Sequence, residues 1–114
     1  MLKVLLPVDG SEYAVRATQK FIETRGWYTE APHIDLLAVH LPVPHFPNMS
    51  TVVSDEMLER YYSEECESML SPSEKALDAA AANYTPKWRV RDVAESIVEQ
   101  AKQSGSDMIW MGTR

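Results

Sequence analysis

Residues 2–12 read Leu2-Lys3-Val4-Leu5-Leu6-Pro7-Val8-Asp9-Gly10-Ser11-Glu12. The apolar run before Asp9 predicts a buried strand, Gly10 a tight turn, and Ser11 the start of a helix. A strand followed at once by a helix is the first half of a βαβ unit. In open parallel sheets, small ligands bind in the groove outside the carboxyl ends of the strands. This stretch therefore predicts both a fold class and the place of a site.

The next elements continue the alternation of helix and strand. The helix from Ser11 has one apolar stripe, and we expect it to end at Gly26 in a left-handed conformation. The nearly continuous apolar run 34–41 predicts a second strand that is covered on both faces. Three prolines follow, so residues 41–50 are expected to form an extended, irregular loop. A long loop at the carboxyl end of a strand is more often functional than a loop elsewhere.

The middle of the chain is predicted to be helical. Ser54 or Thr51 can cap a helix over about residues 55–70. The sequence Ser71-Pro72-Ser73-Glu74 then has the pattern of a new helix start, so either one helix kinks here or two helices abut. The alanine-rich run 76–82 has high helix propensity and small side chains, which suits close packing on a sheet.

The last part of the chain predicts a strand, a helix and a strand. Residues 84–91 alternate charged residues with Trp88 and Val90, which favours an edge strand, and Pro86 is tolerable near its beginning. Asp92 is expected to cap a helix that ends at Ser104-Gly105, with an apolar stripe at Val93, Ala94, Ile97, Val98 and Ala101. Residues 107–111 form the final strand. The whole order predicts an α/β fold, with an open parallel sheet flanked by helices on both faces.

Composition narrows the function classes. With 114 residues the chain is expected to be a single domain, 1–114. The formal net charge of -6 argues against nucleic acid as a partner. The single Cys66 excludes an intramolecular disulfide and is interpreted as a packing residue. The apolar start is broken too early for a signal peptide, and no run reaches the roughly 20 apolar residues of a membrane helix, so a cytoplasmic protein without membrane contact is expected.

Motifs of catalysis and metal binding are not found in the sequence. His33, His40 and His45 have no compact ligand spacing and no cysteine partner, so no metal site is predicted. Ser11 has no histidine and aspartate at a meaningful spacing, and the four glycines are too far apart for a dinucleotide or Walker motif. The chain is therefore interpreted as a binding protein rather than an enzyme, and no catalytic residue is assigned.

The two ends of the chain together resemble one known family. Lys3-Val4-Leu5-Leu6-Pro7-Val8-Asp9-Gly10-Ser11 resembles the opening of universal stress proteins (UspA-like). So does the C-terminal part, from Val93-Ala94-Glu95-Ser96-Ile97-Val98 to Ser106-Asp107-Met108-Ile109-Trp110-Met111-Gly112-Thr113-Arg114. The resemblance implies a Rossmann-like fold of the adenine-nucleotide alpha-hydrolase type, and a role in stress response. It departs at Val90-Arg91-Asp92, where the family often has a glycine.

The resemblance also implies a binding groove for ATP or another adenine nucleotide. It places this groove at the carboxyl ends of the first, second and fourth strands. Pro7, Val8 and Asp9 match the first-strand segment that lies against the adenosine, with Asp9 as the polar anchor. The second-strand position whose backbone meets the adenine is matched by Val39 or His40. The start of the phosphate loop is matched by Met111 and Gly112. The alternative for Asp9 is a structural one, a helix N-cap.

The family pattern is longer than this sequence. Its phosphate loop has further glycines after the position of Gly112, followed by a helix and a fifth strand, whereas this sequence contains only the first glycine. Without the fifth strand, residues 107–111 would form an exposed apolar edge carrying Trp110, which favours a homodimer. The alternative function is therefore a dimerisation or protein-interaction module of the same fold that binds no nucleotide.

Overall fold

The computed structural model describes residues 2–43 and 54–112. The elements are β1 (Lys3–Val8), α1 (Glu12–Thr24), a 3-10 turn (Arg25–Trp27), β2 (His33–His40), α2 (Asp55–Ala79), β3 (Tyr84–Val90), α3 (Val93–Ser104) and β4 (Met108–Ile109). The four strands form one parallel sheet in the order β3-β2-β1-β4. The predicted α/β fold with a parallel sheet is confirmed, including the edge position of β3.

Helices α1 and α2 cover one face of the sheet, and α3 covers the other. The larger core lies under α1 and α2, where side chains of β1 and β2 pack on Phe21, Leu70 and Leu77. The smaller core lies under α3 and consists of Leu5, Leu37, Val39 and Ile97, with Ala101 packed against it. Because successive strand residues point to opposite faces, neighbours such as Leu36 and Leu37 belong to different cores.

The helix starts agree with the capping residues in the sequence. The hydroxyls of Ser11 and Ser54 accept from the backbone N–H of Ala14 and Met57, and the Asp92 carboxylate accepts from that of Glu95. Helix α3 ends at Gly105 in the left-handed conformation, as predicted. Thr51, the alternative cap, lies outside the described residues, as do most of the proline-rich loop and His45.

Two predicted helix ends are wrong. Gly26 does not adopt a left-handed conformation; α1 ends at Thr24 and passes into the 3-10 turn. Of the two alternatives left open at Ser71-Pro72, the structure has one helix rather than two that abut, because α2 runs through Pro72 as one helix of 25 residues. A buried hydroxyl pair, Thr18 and Ser73 at 2.9 Å, joins α1 to α2 just after this proline. The alanine run does not stay helical to residue 82, since Ala81 is left-handed with φ 53°.

Two predictions about exposed and buried faces also need correction. Helix α3 buries Ser96, Ile97 and Gln100, whereas Val93 and Val98 of the predicted apolar stripe are exposed. Trp110 does not lie on an exposed edge. Its indole N–H donates to the Ala17 carbonyl at 2.9 Å, and its ring meets Phe21 edge-on. The fourth strand is also shorter than predicted, and it does lie at the edge of the sheet, beside β1.

Candidate functional site at the carboxyl end of the sheet

The order of the strands reverses at β1. The chain adds β2 and β3 on one side of β1, and α3 then crosses back to place β4 on the other side. A crevice opens at such a point because the connections leave in opposite directions. A cavity of about 210 Å³ lies here, which we call the carboxyl-end cavity. Its walls are Pro7, Val8, Asp9, Ser11, Tyr13, Ala14, Leu37, Val39, Val93, Ile97, Met111 and Gly112.

The turn between β1 and α1 is held by short contacts. Asp9 Oδ1 accepts from the backbone N–H of Ser11 at 2.9 Å. The N-cap of α1 is Ser11 and not Asp9, so the structural alternative for Asp9 is wrong as stated. Gly10 has φ +82°, and a Cβ there would lie 3.1 Å from the Cα of Met69. This turn therefore requires glycine, and it leaves the exposed Asp9 carboxylate at the mouth of the cavity.

The end of β4 reaches the same cavity from the other side of β1. The backbone N–H of Trp110 donates to the Leu5 carbonyl at 2.9 Å, which leads Met111 and Gly112 toward the start of α1. A Cβ on Gly112 would lie only 2.7 Å from the Tyr13 carbonyl oxygen. Glycine is thus needed at this position for packing alone, before any phosphate is considered.

The two candidates at the end of β2 are separated by the alternation of the strand. The side chain of Val39 lies on the face of α3 and lines the carboxyl-end cavity. His40 lies on the opposite face, where its ring contacts Tyr61 and Tyr62 with centroids 5.7 and 5.5 Å away. The Val39 side chain therefore lies in the cavity and the His40 side chain outside it, whereas which of the two backbones meets an adenine stays a prediction.

The His40 ring is fixed by its own surroundings. Its Nδ1 donates to the Leu41 carbonyl at 2.6 Å, and its Nε2 lies 4.0 Å from Glu65. A hydrogen bond with Glu65 is also the main reason why the pKa of Tyr61 is raised. His40, Glu65 and Asp9 border a second opening of about 220 Å³ next to the turn. His40 thus lines this second opening and not the carboxyl-end cavity.

Six of the seven residues predicted for binding line one cavity: Pro7, Val8, Asp9, Val39, Met111 and Gly112. The sequence reasoning missed Tyr13, Val93 and Ile97. Tyr13 lies in the first turn of α1, two residues after the Ser11 cap. The predicted helix start therefore already indicated that Tyr13 could line a cavity at this end of the sheet. Val93 and Ile97 were predicted as core, and only the crossing of α3 beneath β1 and β2 brings them to the cavity. Whether these residues bind a ligand stays a prediction.

The chemistry of the walls favours binding of a flat, partly apolar molecule. Apolar side chains make up most of the lining, and Asp9 is the charged residue among those that border it. Within residues 2–43 and 54–112, no three histidine, cysteine or acidic side chains lie close enough to hold a metal ion. Cys66 lies buried in the larger core, and this burial, with Glu65 nearby, raises the pKa of its thiol. A buried thiol with a raised pKa packs rather than reacts.

Comparisons with known proteins agree on the fold. The chain resembles the protein MJ0577, with 24% identity and a TM-score of 0.75 over 99% of this chain and 75% of that one. It also resembles a universal stress protein family protein from Arabidopsis thaliana with AMP bound (15% identity, TM-score 0.68, 99% and 77% covered). A third similar structure is a universal stress protein in complex with cAMP (17% identity, TM-score 0.64, 95% and 73% covered).

The sequence profile of the universal stress protein family matches residues 1–114. The chain therefore belongs to the universal stress protein family, as its two ends predicted. No curated protein sequence matches it significantly. In the ranges that the structure describes, no helix has both the length and the apolar composition needed to cross a membrane.

Proposed function

We propose that this chain acts in stress response by binding an adenine nucleotide in the carboxyl-end cavity, without turning it over. The observation that carries the proposal is the convergence of six of the predicted residues on one cavity at the point where the strand order reverses. Ligands of open α/β sheets bind at such points. Two proteins of the same fold support the choice of ligand, because one has AMP bound and another is in complex with cAMP.

The residues that line the cavity support adenosine as part of the ligand. Pro7, Val39 and Ile97 offer apolar surface to the base, as expected for a pocket that holds a flat ring by burial. Asp9 lies at the mouth, where a carboxylate can accept hydrogen bonds from the two ribose hydroxyls. Asp9 also holds the turn through Ser11, so its position is fixed before the ligand arrives.

The phosphate part has basic groups beside it. A neighbouring cavity of about 310 Å³ shares Tyr13, Met111 and Gly112 with the first and is also lined by Arg16 and Lys20. Both cations lie on the solvent side of α1, where each also pairs with a glutamate at 3.6 Å. Their charge favours a phosphate that leaves the carboxyl-end cavity past Gly112. We therefore expect AMP to bind more tightly than adenosine at low salt.

The test is titration of the purified protein with AMP by calorimetry. Asp9→Ala should weaken binding at least about tenfold, because a charged hydrogen bond to the ribose is lost. Asp9→Asn keeps an oxygen for the Ser11 N–H, so it separates the effect of the charge from the effect of the turn. Glu59→Ala, on the exposed side of α2, is the control and should leave the affinity unchanged. Unchanged AMP affinity in Asp9→Ala would remove Asp9 from the site.

A second function rests on a different observation. Ile109 of the edge strand β4 and Met111 just after it are about half exposed (43% and 53%), as is Val98 of α3 (49%). An uncharged edge with exposed apolar side chains favours pairing with a second copy of the chain. Light scattering at micromolar concentration should then show a homodimer that Ile109→Lys dissociates. A dimer that binds no AMP would favour the interaction module, and a monodisperse monomer would contradict it.

A further inference from the structure

A second cavity opens at the opposite end of the sheet, under the carboxyl end of α3. We call it the amino-end cavity; its volume is about 450 Å³. Polar and charged side chains line it: Lys3, His33, Asp35, Thr85, Lys87, Gln103 and Ser104. It shares no lining residue with the carboxyl-end cavity. The proposed nucleotide site therefore does not account for this group of side chains.

Asp35 is the unusual member of this group. It is an acidic residue in the middle of the apolar strand β2, and only 6% of its surface is exposed. Burying a carboxylate is costly unless charges and hydrogen bonds compensate it. Lys87 Nζ and His33 Nε2 lie 3.7 and 3.8 Å from its Oδ1, which is beyond the range of a good hydrogen bond. The carboxylate thus has room for a donor from the cavity.

The ammonium groups around Asp35 can donate further hydrogen bonds. Lys3 Nζ uses one of its hydrogens on the Ser104 carbonyl at 3.2 Å, and an ammonium group has three. Lys87 spans from β3 toward Asp35 with 39% of its side chain exposed. His33 is oriented by Thr85, whose hydroxyl lies 3.0 Å from its Nε2. The cavity therefore combines one buried carboxylate, which accepts hydrogen bonds, with two ammonium groups, which donate them.

The wall formed by α3 is fixed in place by Arg89. Its guanidinium donates to Gln100 at 3.0 Å, to Glu99 at 3.0 Å and to Gln103 at 2.5 Å. These bonds join the edge strand β3 to the last turns of α3. Because Gln103 lines the cavity, the same contacts hold the cavity open in one shape, which reduces the cost of ordering it around a ligand.

We infer that the amino-end cavity binds a small zwitterion that carries both an ammonium and a carboxylate group, which is a free amino acid. A simple anion would meet the negative charge of Asp35, and a simple cation would meet Lys3 and Lys87. A molecule with both charges satisfies both sets of groups. Its ammonium donates to the Asp35 carboxylate, and its carboxylate accepts from Lys87 and Lys3. The proposal does not depend on the nucleotide site.

The test is titration of the nitrogen-15-labelled chain with each standard amino acid, followed by NMR. At least one amino acid should produce saturable shifts at the backbone amides of His33, Thr85 and Lys87. The matched acid without its amino group and the matched amine without its carboxylate should each bind far more weakly. The proposal is overturned if no amino acid produces such shifts, if the acid alone binds equally well, or if the shifts lie around Val8 and Val39 instead.

Variants link the binding to the cavity. Asp35→Asn should weaken binding of the amino acid about tenfold or more, because its ammonium would then donate to a neutral amide oxygen instead of a carboxylate. Lys87→Gln should weaken it similarly, and its partly exposed side chain makes it the variant of choice if Asp35→Asn folds poorly by circular dichroism. Lys75→Gln removes the same charge from the exposed side of α2 and should change nothing. Equal affinity in Lys87→Gln and in Lys75→Gln would also overturn the proposal.

Discussion

The two faces of the sheet are built in different ways. The face under α1 and α2 is a dense apolar core that contains Phe21, Leu36 and Leu77, all fully buried. The face under α3 has only a small apolar centre around Leu5 and Leu37, with the amino-end cavity at one end and much of the wall of the carboxyl-end cavity at the other. Packing on one face leaves the other free to keep cavities and buried charge. We therefore expect substitutions under α1 and α2 to act mainly on stability, and the two proposed binding sites to depend mainly on the face under α3.

The largest expected effect comes from two neighbouring leucines of β2. Leu36→Ala should lower the free energy of unfolding by about 3–5 kcal/mol, because it leaves a cavity in the dense core. Leu37→Ala should cost about 2–3 kcal/mol, because the smaller core beside existing cavities relaxes more easily. Both side chains are fully buried in the same strand, so each is the control for the other. Urea unfolding measures the difference, and equal losses would contradict the contrast between the faces.

An intermediate loss of stability is expected from a substitution at Gly112, where the chain after β4 packs on α1. In Gly112→Ala the new Cβ would lie 2.7 Å from the Tyr13 carbonyl oxygen, so the backbone must move, at a cost of about 1–3 kcal/mol. The shift also changes the wall of the carboxyl-end cavity, so AMP should bind more weakly. Gly26→Ala is the matched control, since nothing lies within 4 Å of its added Cβ. If both variants unfold at the same urea concentration, the close approach of Gly112 to Tyr13 is not important for stability.

The smallest expected effect on stability concerns Tyr84, which packs against the core under α1 and α2. The pKa of Tyr84 is raised to about 12, mainly by burial and then by hydrogen bonding to Asp78. Between about pH 10, where the unfolded tyrosine ionises, and about pH 12, the folded state retains a proton that the unfolded state has lost. Stability should therefore fall with rising pH across this window. Tyr84→Phe should flatten that fall in urea unfolding curves, whereas an unchanged slope would show that Tyr84 does not contribute to it.

Much of this molecule could be predicted from local signals. The caps at Ser11, Ser54 and Asp92 and the apolar runs of β1 and β2 depend on interactions within a few residues, and each is where the sequence placed it. The predictions that were wrong or left open concern features that depend on contacts between residues far apart in the sequence. Pro72 remains inside α2 because the helix packs along the sheet and α1, and the buried pair of Thr18 with Ser73 joins residues 55 positions apart.

The candidate site shows the same difference between features set by local sequence and features set by distant contacts. Asp9 and Gly10 could be assigned to a strand-to-helix turn from their order alone, because that turn is local. Val93 and Ile97 could not be assigned to the cavity, because an apolar helical stripe does not reveal which part of the sheet it will cover. Which of the Val39 and His40 side chains faces the cavity also depends on the pairing of β2 with its neighbours, since a shift of one residue exchanges the two faces.

The family, the order of helices and strands and the turn at Asp9 could all be predicted from the amino-acid sequence, because they depend on short patterns and on the match of both chain ends. Which side chains share a cavity depends on how the helices and strands pack in three dimensions. The crossing of α3 to the far side of β1 places Met111 and Gly112 beside Asp9. The pairing of β1, β2 and β3 brings Lys3, Asp35 and Lys87 together, and the last turn of α3 covers them. No local pattern contains these distances, since they arise from the packing of elements far apart in the chain.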